Sequence, residues 1–157
     1  MKKHFLTLII ILSTINLFSQ NENQFFSLDS NMMSLIIDFG KTYKGVAYNY
    51  GACDSKNGFD CSGFMYYIFR MAGYKLPRSS RDIASLGKTV DLLNVKKGDL
   101  LFFNTLSSGK ISHVGIVSKV TKNKVVMLHV SSSKGVQEVD IIDSDYWYSR
   151  FVLAKRH

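Results

Sequence analysis

The hydrophobic periodicity of this chain changes from helical to strand-like partway along, and this order restricts the folds that it can adopt. Apolar residues recur at helical spacing in three segments: Leu28 to Tyr43, Ser62 to a natural stop at Gly73, and Ser80 to about Leu86. Strand-like segments separated by turn residues follow: Gly98 to Phe103, Ile111 to Val120, Lys124 to Val130, Val136 to Ile141 and Phe151 to Ala154. Helices followed by consecutive strands predict an α+β fold, with N-terminal helices packed on one side of a central antiparallel sheet of about five strands.

The length and composition predict one domain with an apolar core. The chain has 157 residues, 46% of them hydrophobic, and its 11 Gly and single Pro leave little room for a low-complexity linker. Such a composition excludes disordered, coiled-coil and collagen-like chains. We assign residues 20–44 to an N-terminal helix and lead-in that pack on the main unit, residues 45–157, so that both belong to one domain.

The first residues have the pattern of a secretory signal peptide. The basic start Lys2-Lys3-His4 precedes an apolar run from Phe5 to Phe18, which is shorter than the roughly 20 residues that span a bilayer. We expect residues 1–19 to be removed by cleavage after Ser19, with an uncleaved membrane anchor as the alternative. The mature protein is then expected to be soluble and exported to the periplasm or beyond, without stable membrane insertion.

The charge of the chain favours anionic partners other than nucleic acid. The full sequence has 20 Lys plus Arg against 12 Asp plus Glu, and removal of Lys2 and Lys3 leaves 18 against 12, a net charge of +6. A basic surface attracts polyanions, which outside the cytoplasm include cell-wall polymers. Because the basic residues are scattered, with no run longer than two, we expect no dedicated nucleic-acid surface.

Cys61 lies at the first turn of the second predicted helix, a position that suits a nucleophile. Backbone N–H groups and the positive end of the helix dipole favour a thiolate over a thiol, so we expect a lowered Cys61 pKa. Asp60 can cap the same helix, and the Cys61 N–H is a candidate donor to an oxyanion. These residues predict thiol catalysis, which needs no metal or cofactor.

Two histidines on predicted strands are candidates for the base that a cysteine nucleophile needs. His113 lies in one apolar strand, and His129 lies on the next, where it can hold the His113 imidazole by its other nitrogen. Their relative orientation depends on the connection near Thr121. A three- or five-residue loop would place both side chains on one face of the sheet, whereas a two-residue turn would place them on opposite faces.

Each of these residues also has a structural interpretation. A Cys outside a disulfide is more often a small core residue, and a His in an apolar strand is more often a hydrogen-bonded structural residue. Cys53 and Cys61 could form a disulfide, or they could bind zinc with the two histidines, although none has the close spacing of common zinc sites. We expect Cys53 to stay unpaired, because thiol catalysis requires a reduced Cys61.

Five motifs follow one another along the chain: Asp60-Cys61-Ser62-Gly63-Phe64, Leu76-Pro77-Arg78-Ser79-Ser80, Lys97-Gly98-Asp99-Leu100-Leu101-Phe102-Phe103, His113-Val114-Gly115-Ile116 and His129-Val130-Ser131-Ser132-Ser133-Lys134-Gly135-Val136. Their residues and their order resemble those of the NlpC/p60 family of bacterial cell-wall cysteine peptidases. The resemblance implies a papain-like α+β fold, a Cys, His, His triad, and hydrolysis of peptide stems in peptidoglycan. The bond typically cleaved joins D-γ-glutamate to the diamino acid.

The resemblance also implies roles for individual residues. Cys61 would be the nucleophile, His113 the general base and His129 the residue that orients it. Tyr48 resembles a site Tyr that hydrogen-bonds near the scissile carbonyl, with ordinary loop packing as the alternative. Candidate oxyanion or substrate-binding residues in the same motifs are Asp60, Ser62, Ser79 and Ser80.

Two positions depart from the family pattern. The usual pair of glycines after the Tyr-rich loop is Gly51-Ala52 here, which leaves the geometry of that loop open. Family members that require a free N-terminal alanine have an Asp at the position of Ser79, where it pairs with the substrate ammonium. Since a buried ammonium without a carboxylate is poorly compensated, Ser79 favours an endopeptidase that accepts stems still attached to glycan.

Two other classes of function remain open at this point. One is a cell-wall binding module that keeps the fold without turnover, and the other is a Cys-His amidase or acyltransferase of different bond specificity. For the favoured function, the expected partner is the peptidoglycan stem peptide, and we expect the protein to act as a monomer.

Overall fold

The structure is a computed structural model that describes residues 30–157. Its helices are α1 (Ser30–Lys41), α2 (Cys61–Met71), α3 (Ser80–Ala84) and α4 (Asp145–Tyr148), and a 3₁₀ turn covers Leu92–Asn94. The three predicted helices correspond to α1, α2 and α3, whereas the single turn of α4 was not predicted. The assigned signal peptide, residues 1–19, and the predicted helix start at Leu28 lie outside the described residues. Among residues 30–157, no helix is long and apolar enough to cross a membrane.

The two long helices form because each has an apolar stripe that faces the sheet. Helix α1 buries Met33, Ile36 and Ile37, which lie on one side of a 3.6-residue repeat. Helix α2 buries a similar stripe: Phe64, Met65, Ile68 and Phe69. Gly73 follows α2 with φ of +86°, a left-handed conformation that favours glycine and that ends the helix as predicted.

The strands form a short hairpin and one larger antiparallel sheet. The hairpin consists of β1 (Cys53–Asp54) and β2 (Gly58–Phe59). Within the described residues, the sheet has six strands: β3 (Lys88–Val90), β4 (Leu100–Phe103), β5 (His113–Thr121), β6 (Lys124–Ser131), β7 (Gly135–Asp140) and β8 (Phe151–Arg156). Their order is β3-β8-β4-β5-β6-β7, and each neighbouring pair is antiparallel. This arrangement confirms the predicted α+β class.

The predicted sheet of about five strands corresponds to β4 to β8 and lacks the edge strand β3. This strand has only three residues, two of them exposed, and therefore shows no apolar alternation. It is extended because it pairs with β8, where Thr89 lies opposite Lys155. Such pairing with a distant segment leaves no local signal in the sequence.

The two faces of the sheet are buried by different parts of the chain. One face packs against α1 and α2, and its strand residues include Phe102, Val114, Ile116 and Leu128. The other face is covered by the C-terminal segment around Trp147, and its strand residues include Leu101, Phe103, Val117 and Met127. The main helices therefore lie on one side, as predicted, but the opposite side is covered as well. Burial on both sides explains why all four residues of β4 are buried.

Candidate active site

Helix α2 holds Cys61 at its first position. Asp60 caps this helix as predicted, because its Oδ1 accepts a hydrogen bond of 2.6 Å from the Gly63 N–H. Gly63 is needed for a close approach, since a Cβ atom there would lie 2.1 Å from the Ala52 carbonyl oxygen. The loop that precedes the hairpin therefore rests directly on the first turn of the helix.

Arg78 joins this first turn to the segment before α3. Its two terminal nitrogens donate to the two Asp60 carboxylate oxygens at 2.9 and 2.7 Å, and one of them also donates to Ser62 Oγ at 3.0 Å. The Gly51 N–H donates to Asp60 Oδ2 at 2.9 Å. The hydrogen-bonded carboxylate of Asp60 raises the pKa of Arg78. Asp60 thus ties three segments together around the start of α2.

Cys61 opens onto a cavity of about 540 Å³. The structure brings together in its lining all the candidate substrate-binding residues of the sequence: Tyr48, Asp60, Ser62, Ser79 and Ser80. Three basic side chains, those of Arg78, Arg81 and Lys110, share the same lining. The exposed Tyr50 and Leu106 complete a cleft that is both apolar and cationic.

The electrostatic setting of Cys61 differs from the sequence prediction. Desolvation raises the pKa of the Cys61 thiol, and the nearby charge of Asp60 raises it further. Hydrogen bonding to backbone N–H groups, including that of Val114, lowers the pKa but does not outweigh burial. The expected lowering by the helix N-terminus is therefore wrong as a net effect, because the thiol is enclosed between the helix and β5.

Both cysteines are free thiols. Cys53 lies in β1 opposite Phe59 and does not line the cavity. Within residues 30–157, no group of three or more His, Cys, Asp or Glu side chains is arranged to hold a metal ion. The described structure therefore contains neither the alternative disulfide nor the ligand set of the alternative zinc site.

His113 and His129 form a buried pair. His113 Nε2 lies 3.1 Å from His129 Nδ1, and the two side chains are 8% and 0% exposed. Trp147 covers both rings, with ring centroids 4.9 Å from His113 and 4.7 Å from His129. Burial lowers the pKa of His113 to about 4 and, with the added effect of His113, the pKa of His129 to about 3. Both imidazoles are therefore neutral at pH 7.

The two histidines lie on the same face of the sheet, although the length of the turn between their strands predicts opposite faces. Thr121 pairs with Lys124, so the connection is a two-residue turn, which predicts opposite faces. The register then shifts between Val117 and Lys119, where β5 has one extra residue. This β-bulge restores the parity, and both side chains point to the side covered by Trp147.

Gly115 makes the contact between the histidines possible. It lies between them on the same face, and a Cβ at this position would be 2.5 Å from Met127 Sδ and 2.9 Å from His129 Cβ. The absence of a side chain lets the His113 ring reach diagonally to His129. Gly115 is thus a structural requirement of the pair that the sequence motif did not reveal.

The Cys61 sulfur lies against the backbone on both sides of His113. The thiol donates to the Ser112 carbonyl oxygen at 3.8 Å, and the Val114 N–H is directed at the sulfur. His113 Nε2 is engaged by His129, so Nδ1, the ring nitrogen nearer the backbone, is left for Cys61. In the described structure the thiol hydrogen bond goes to Ser112 instead of the imidazole, and catalytic hydrogen bonds often form only when substrate binds.

Sequence reasoning missed the partners that place these residues. Arg78 belongs to a recognised motif, but its role depends on Asp60, which is distant along the chain. Trp147 is the single Trp of the chain, and its position in a short C-terminal helix gave no indication that it covers two histidines. Both roles arise from contacts between segments far apart in sequence.

The lowered histidine pKa values predict acid sensitivity of the fold. Unfolded His binds a proton below about pH 6.5, whereas the folded pair resists protonation until about pH 4, so stability falls as the pH drops through this window. Protonation of His113 in the unfolded state alone should lower the free energy of unfolding by roughly 3 kcal/mol between pH 7 and pH 4.5. Urea unfolding at pH 7 and pH 4.5 measures the loss. His129→Asn should reduce the difference between the two pH values, and an equal difference in both proteins would contradict this origin.

Most of the chain matches a known protein family. A family model described as the NlpC/P60 family matches residues 45–156. The chain belongs to the NlpC/P60 family. The resemblance seen in the five sequence motifs is thereby confirmed.

Curated relatives of this NlpC/P60 protein are peptidases. The "Murein DD-endopeptidase MepS/Murein LD-carboxypeptidase" of Escherichia coli strain K12 is 37% identical over 139 residues, which cover 88% of this chain and 70% of the relative. The "Gamma-D-glutamyl-L-lysine dipeptidyl-peptidase" of Bacillus subtilis strain 168 is 49% identical over 82 residues, 52% of this chain and 27% of that protein. The family and these relatives support a peptidase.

Solved structures share the fold of this NlpC/P60 protein. An NLP/P60-family protein of Staphylococcus aureus subsp. aureus Mu50 superposes with a TM-score of 0.71 at 28% identity, over 83% of this chain and 42% of that chain. RipD of Mycobacterium tuberculosis, described as a non-catalytic NlpC/p60 domain protein adapted to peptidoglycan binding, superposes with a TM-score of 0.61 at 25% identity, over 80% of this chain and 96% of that chain. The staphylococcal and Bacillus matches each concern less than half of the matched protein.

Proposed function

We propose that this NlpC/P60 protein is a peptidoglycan endopeptidase that cleaves peptide stems through a thioester on Cys61. The observation that carries the proposal is the position of the Cys61 sulfur, which faces the cavity from the helix start and touches the backbone beside His113. His113 in turn is held by His129. A thiol, a base and a group that orients the base are the parts that cysteine acyl transfer needs.

In the first half of the reaction, the Cys61 sulfur attacks the scissile carbonyl carbon while its proton passes to His113 Nδ1. The S–C bond forms and the carbonyl oxygen becomes an oxyanion. Burial raises the Cys61 pKa and lowers the His113 pKa, so a neutral thiol and a neutral imidazole are the resting state. His113 therefore acts as a general base during attack, and the thiol leaves the Ser112 carbonyl to reach it.

We assign two donors to stabilise the oxyanion, the Cys61 N–H and the Tyr48 hydroxyl. The Cys61 N–H lies at the free N-terminal end of α2. Burial raises the pKa of Tyr48, and the nearby Cys61 and Asp60 add to this, so its phenol stays protonated and able to donate. Collapse of the intermediate expels the amine, which takes the proton from His113. Water then gives a proton to His113 and attacks the thioester, releasing the carboxyl product and the Cys61 thiol.

The charges of the cleft support the bond between γ-D-glutamate and the diamino acid. A γ-linked glutamate keeps its α-carboxylate free close to the scissile carbonyl, and the basic side chains of Arg81 and Lys110 in the cavity lining suit such an anion. The charge of Arg78 is already paired with Asp60. The Bacillus relative has γ-D-glutamyl-L-lysine peptidase in its name, whereas the Escherichia coli relative is a DD-endopeptidase. The Escherichia coli relative is also named as an LD-carboxypeptidase. The γ-D-glutamyl bond is therefore our choice among the three bonds for which these two relatives are named.

Ser79 supports action on stems that are still attached to glycan. Its Oγ accepts from the Asp82 N–H at 3.2 Å and donates to Asp82 Oδ2 at 2.6 Å, so it serves as the cap of α3. The hydroxyl carries no charge to compensate a free N-terminal ammonium. Ser62 and Ser80 are proposed to contact substrate, while Asp60 is proposed to hold Arg78 toward the cleft.

We also propose that the assigned leader, residues 1–19, directs export, and that the remaining chain acts as a monomer in the periplasm or outside the cell. The basic charge left after its removal, 18 basic against 12 acidic residues, supports attraction to an anionic cell wall.

A wall-binding module is the second candidate, and the non-catalytic mycobacterial structure favours it. The complete set of Cys61, His113 and His129 favours turnover instead. A Cys-His amidase or acyltransferase would use the same residues on a different bond, so only the products separate it from an endopeptidase.

Mass analysis of the products from a defined disaccharide-tetrapeptide tests the proposal. Cleavage after γ-D-glutamate should release a disaccharide-dipeptide and a dipeptide that begins with the diamino acid. Release of the intact peptide from the sugar would identify an amidase. A crosslinked dimer is assayed in parallel, and cleavage of the dimer alone would identify the D,D bond. Binding to sacculi without any product would establish the binding module.

A further inference from the structure

Gln137 extends the histidine pair by one residue. It lies in β7 directly opposite His129 on β6. Its side-chain nitrogen is 3.4 Å from His129 Nε2 and 3.0 Å from Ser131 Oγ. A continuous line of polar groups therefore runs from Gln137 through His129 to His113, whose remaining nitrogen is left for Cys61.

The proton positions along this line decide whether His113 can act as a base. His113 must have an unprotonated Nδ1 to accept the Cys61 proton, so its neutral form must carry a proton on Nε2. That proton then points at His129 Nδ1, which must accept it. His129 is neutral because it is buried, so its own proton must lie on Nε2 and needs an acceptor.

The Gln137 amide supplies that acceptor in only one of its two orientations. With the NH₂ group toward His129, as its nitrogen stands here, His129 Nε2 has to accept and the protons of both rings move to Nδ1. His113 then carries a proton on the nitrogen left for Cys61 and cannot take another there. With the amide turned by half a turn, Oε1 accepts from His129 Nε2 and the base is available.

The surroundings of Gln137 permit both orientations. Ser131 Oγ accepts from the Lys134 N–H at 3.0 Å and has its own hydroxyl proton free to rotate. It accepts from the Gln137 NH₂ in one orientation and donates to Oε1 in the other. The amide can therefore turn without loss of a hydrogen bond to Ser131.

We propose that Gln137 is a positioning residue that sets the proton positions of the His129–His113 pair, with its amide oxygen accepting from His129 Nε2 in the active form. This inference rests on the proposed thiol peptidase function. Gln137 touches neither Cys61 nor the cleft, so it acts only through the two histidines.

Two substitutions of similar size separate the hydrogen bond from packing. Gln137→Glu can only accept when ionised and should keep the base-competent proton positions, whereas Gln137→Met can neither accept as strongly nor donate. NMR of ¹⁵N-labelled histidines reads the proton positions directly. We expect His129 to carry its proton on Nε2 in the active wild-type form and in Gln137→Glu, and to shift toward Nδ1 in Gln137→Met. Unchanged ring signals in Gln137→Met would overturn the proposal.

Turnover provides the second readout. Gln137→Met should lower kcat about tenfold with little change in KM, as expected when a group that orients a catalytic His is removed. Gln137→Glu should restore most of kcat, and the control Ser131→Ala should retain it. Loss of kcat in Ser131→Ala equal to that in Gln137→Met would indicate a structural role of the β6–β7 turn and would overturn the proposal.

The two readouts also separate this inference from the proposed function. If the wild-type protein cleaves no muropeptide, the proposed function fails, yet the NMR comparison still tests whether Gln137 controls the histidine protons. If the wild-type protein is active and the ring signals and kcat are the same in all three variants, only the role of Gln137 fails.

Discussion

Replacement of Cys61 with alanine is expected to abolish peptidoglycan hydrolysis while the fold is retained. In the proposed mechanism the sulfur forms the bond to the substrate carbonyl, and no other group in the described cleft is a thiol. Removal of a catalytic nucleophile typically lowers kcat by about 10⁴-fold or more. The loss of one sulfur atom beside an open cleft creates little cavity, so thermal unfolding should be nearly unchanged. Release of soluble muropeptides from purified sacculi measures the activity.

Cys53→Ala is the matched control, because it removes the other thiol of the chain. Cys53 lies in the hairpin outside the cavity lining, so this variant should remain active. If a homogeneous Cys61→Ala preparation hydrolysed sacculi at the wild-type rate, Cys61 would not be the nucleophile. Loss of activity in a well-folded Cys53→Ala protein would show that the second thiol has a role that the structure does not indicate.

His113→Ala is expected to be nearly as damaging as Cys61→Ala, whereas His129→Asn should leave measurable activity. Because burial raises the Cys61 pKa, little thiolate exists without a base, and in the proposed mechanism His113 accepts the proton as attack begins. His129 only holds the ring through the 3.1 Å contact to its Nε2, and an Asn can still accept that hydrogen bond. Initial rates on the same muropeptide, with circular dichroism as the check on folding, give the order of the two losses.

The pH profile supplies an independent test of the role of His113. Its pKa of about 4 implies that the base remains unprotonated well below the ordinary range, so the rate should persist to about pH 5 before it falls. For the histidine variants, complete loss of activity in a folded His129→Asn protein would mean that His129 does more than orient the His113 ring. A fall in rate centred near pH 6.5 would contradict the buried setting of His113.

Several parts of this protein were determined by local sequence. The order of helices and strands follows from apolar periodicity, and Cys61 could be placed at a helix start because Asp60 and the apolar stripe of α2 are neighbours in the chain. The residues of the cleft were found through motifs, since each lies in a short segment with a recognisable pattern. Such patterns can be recognised without knowledge of the tertiary structure, because the residues that form them are neighbours in the chain.

The relation between the two histidines was decided by the tertiary structure. A two-residue turn at Lys122-Asn123 predicts opposite faces, and only the bulge between Val117 and Lys119 brings the rings together. Strand register depends on pairing along the whole of β5 and β6, which no single turn reveals.

The electrostatics of the site were also decided by burial between distant segments. Helix position predicts a lowered Cys61 pKa, but enclosure against β5 raises it, and Trp147 from the C-terminal segment desolvates His113. Desolvation depends on everything that surrounds a group, whereas a helix end is a property of one segment. The sequence by itself therefore supplied the candidate residues of the site. The tertiary structure decided their proton states, because proton affinity is set by neighbours that the chain brings together only on folding.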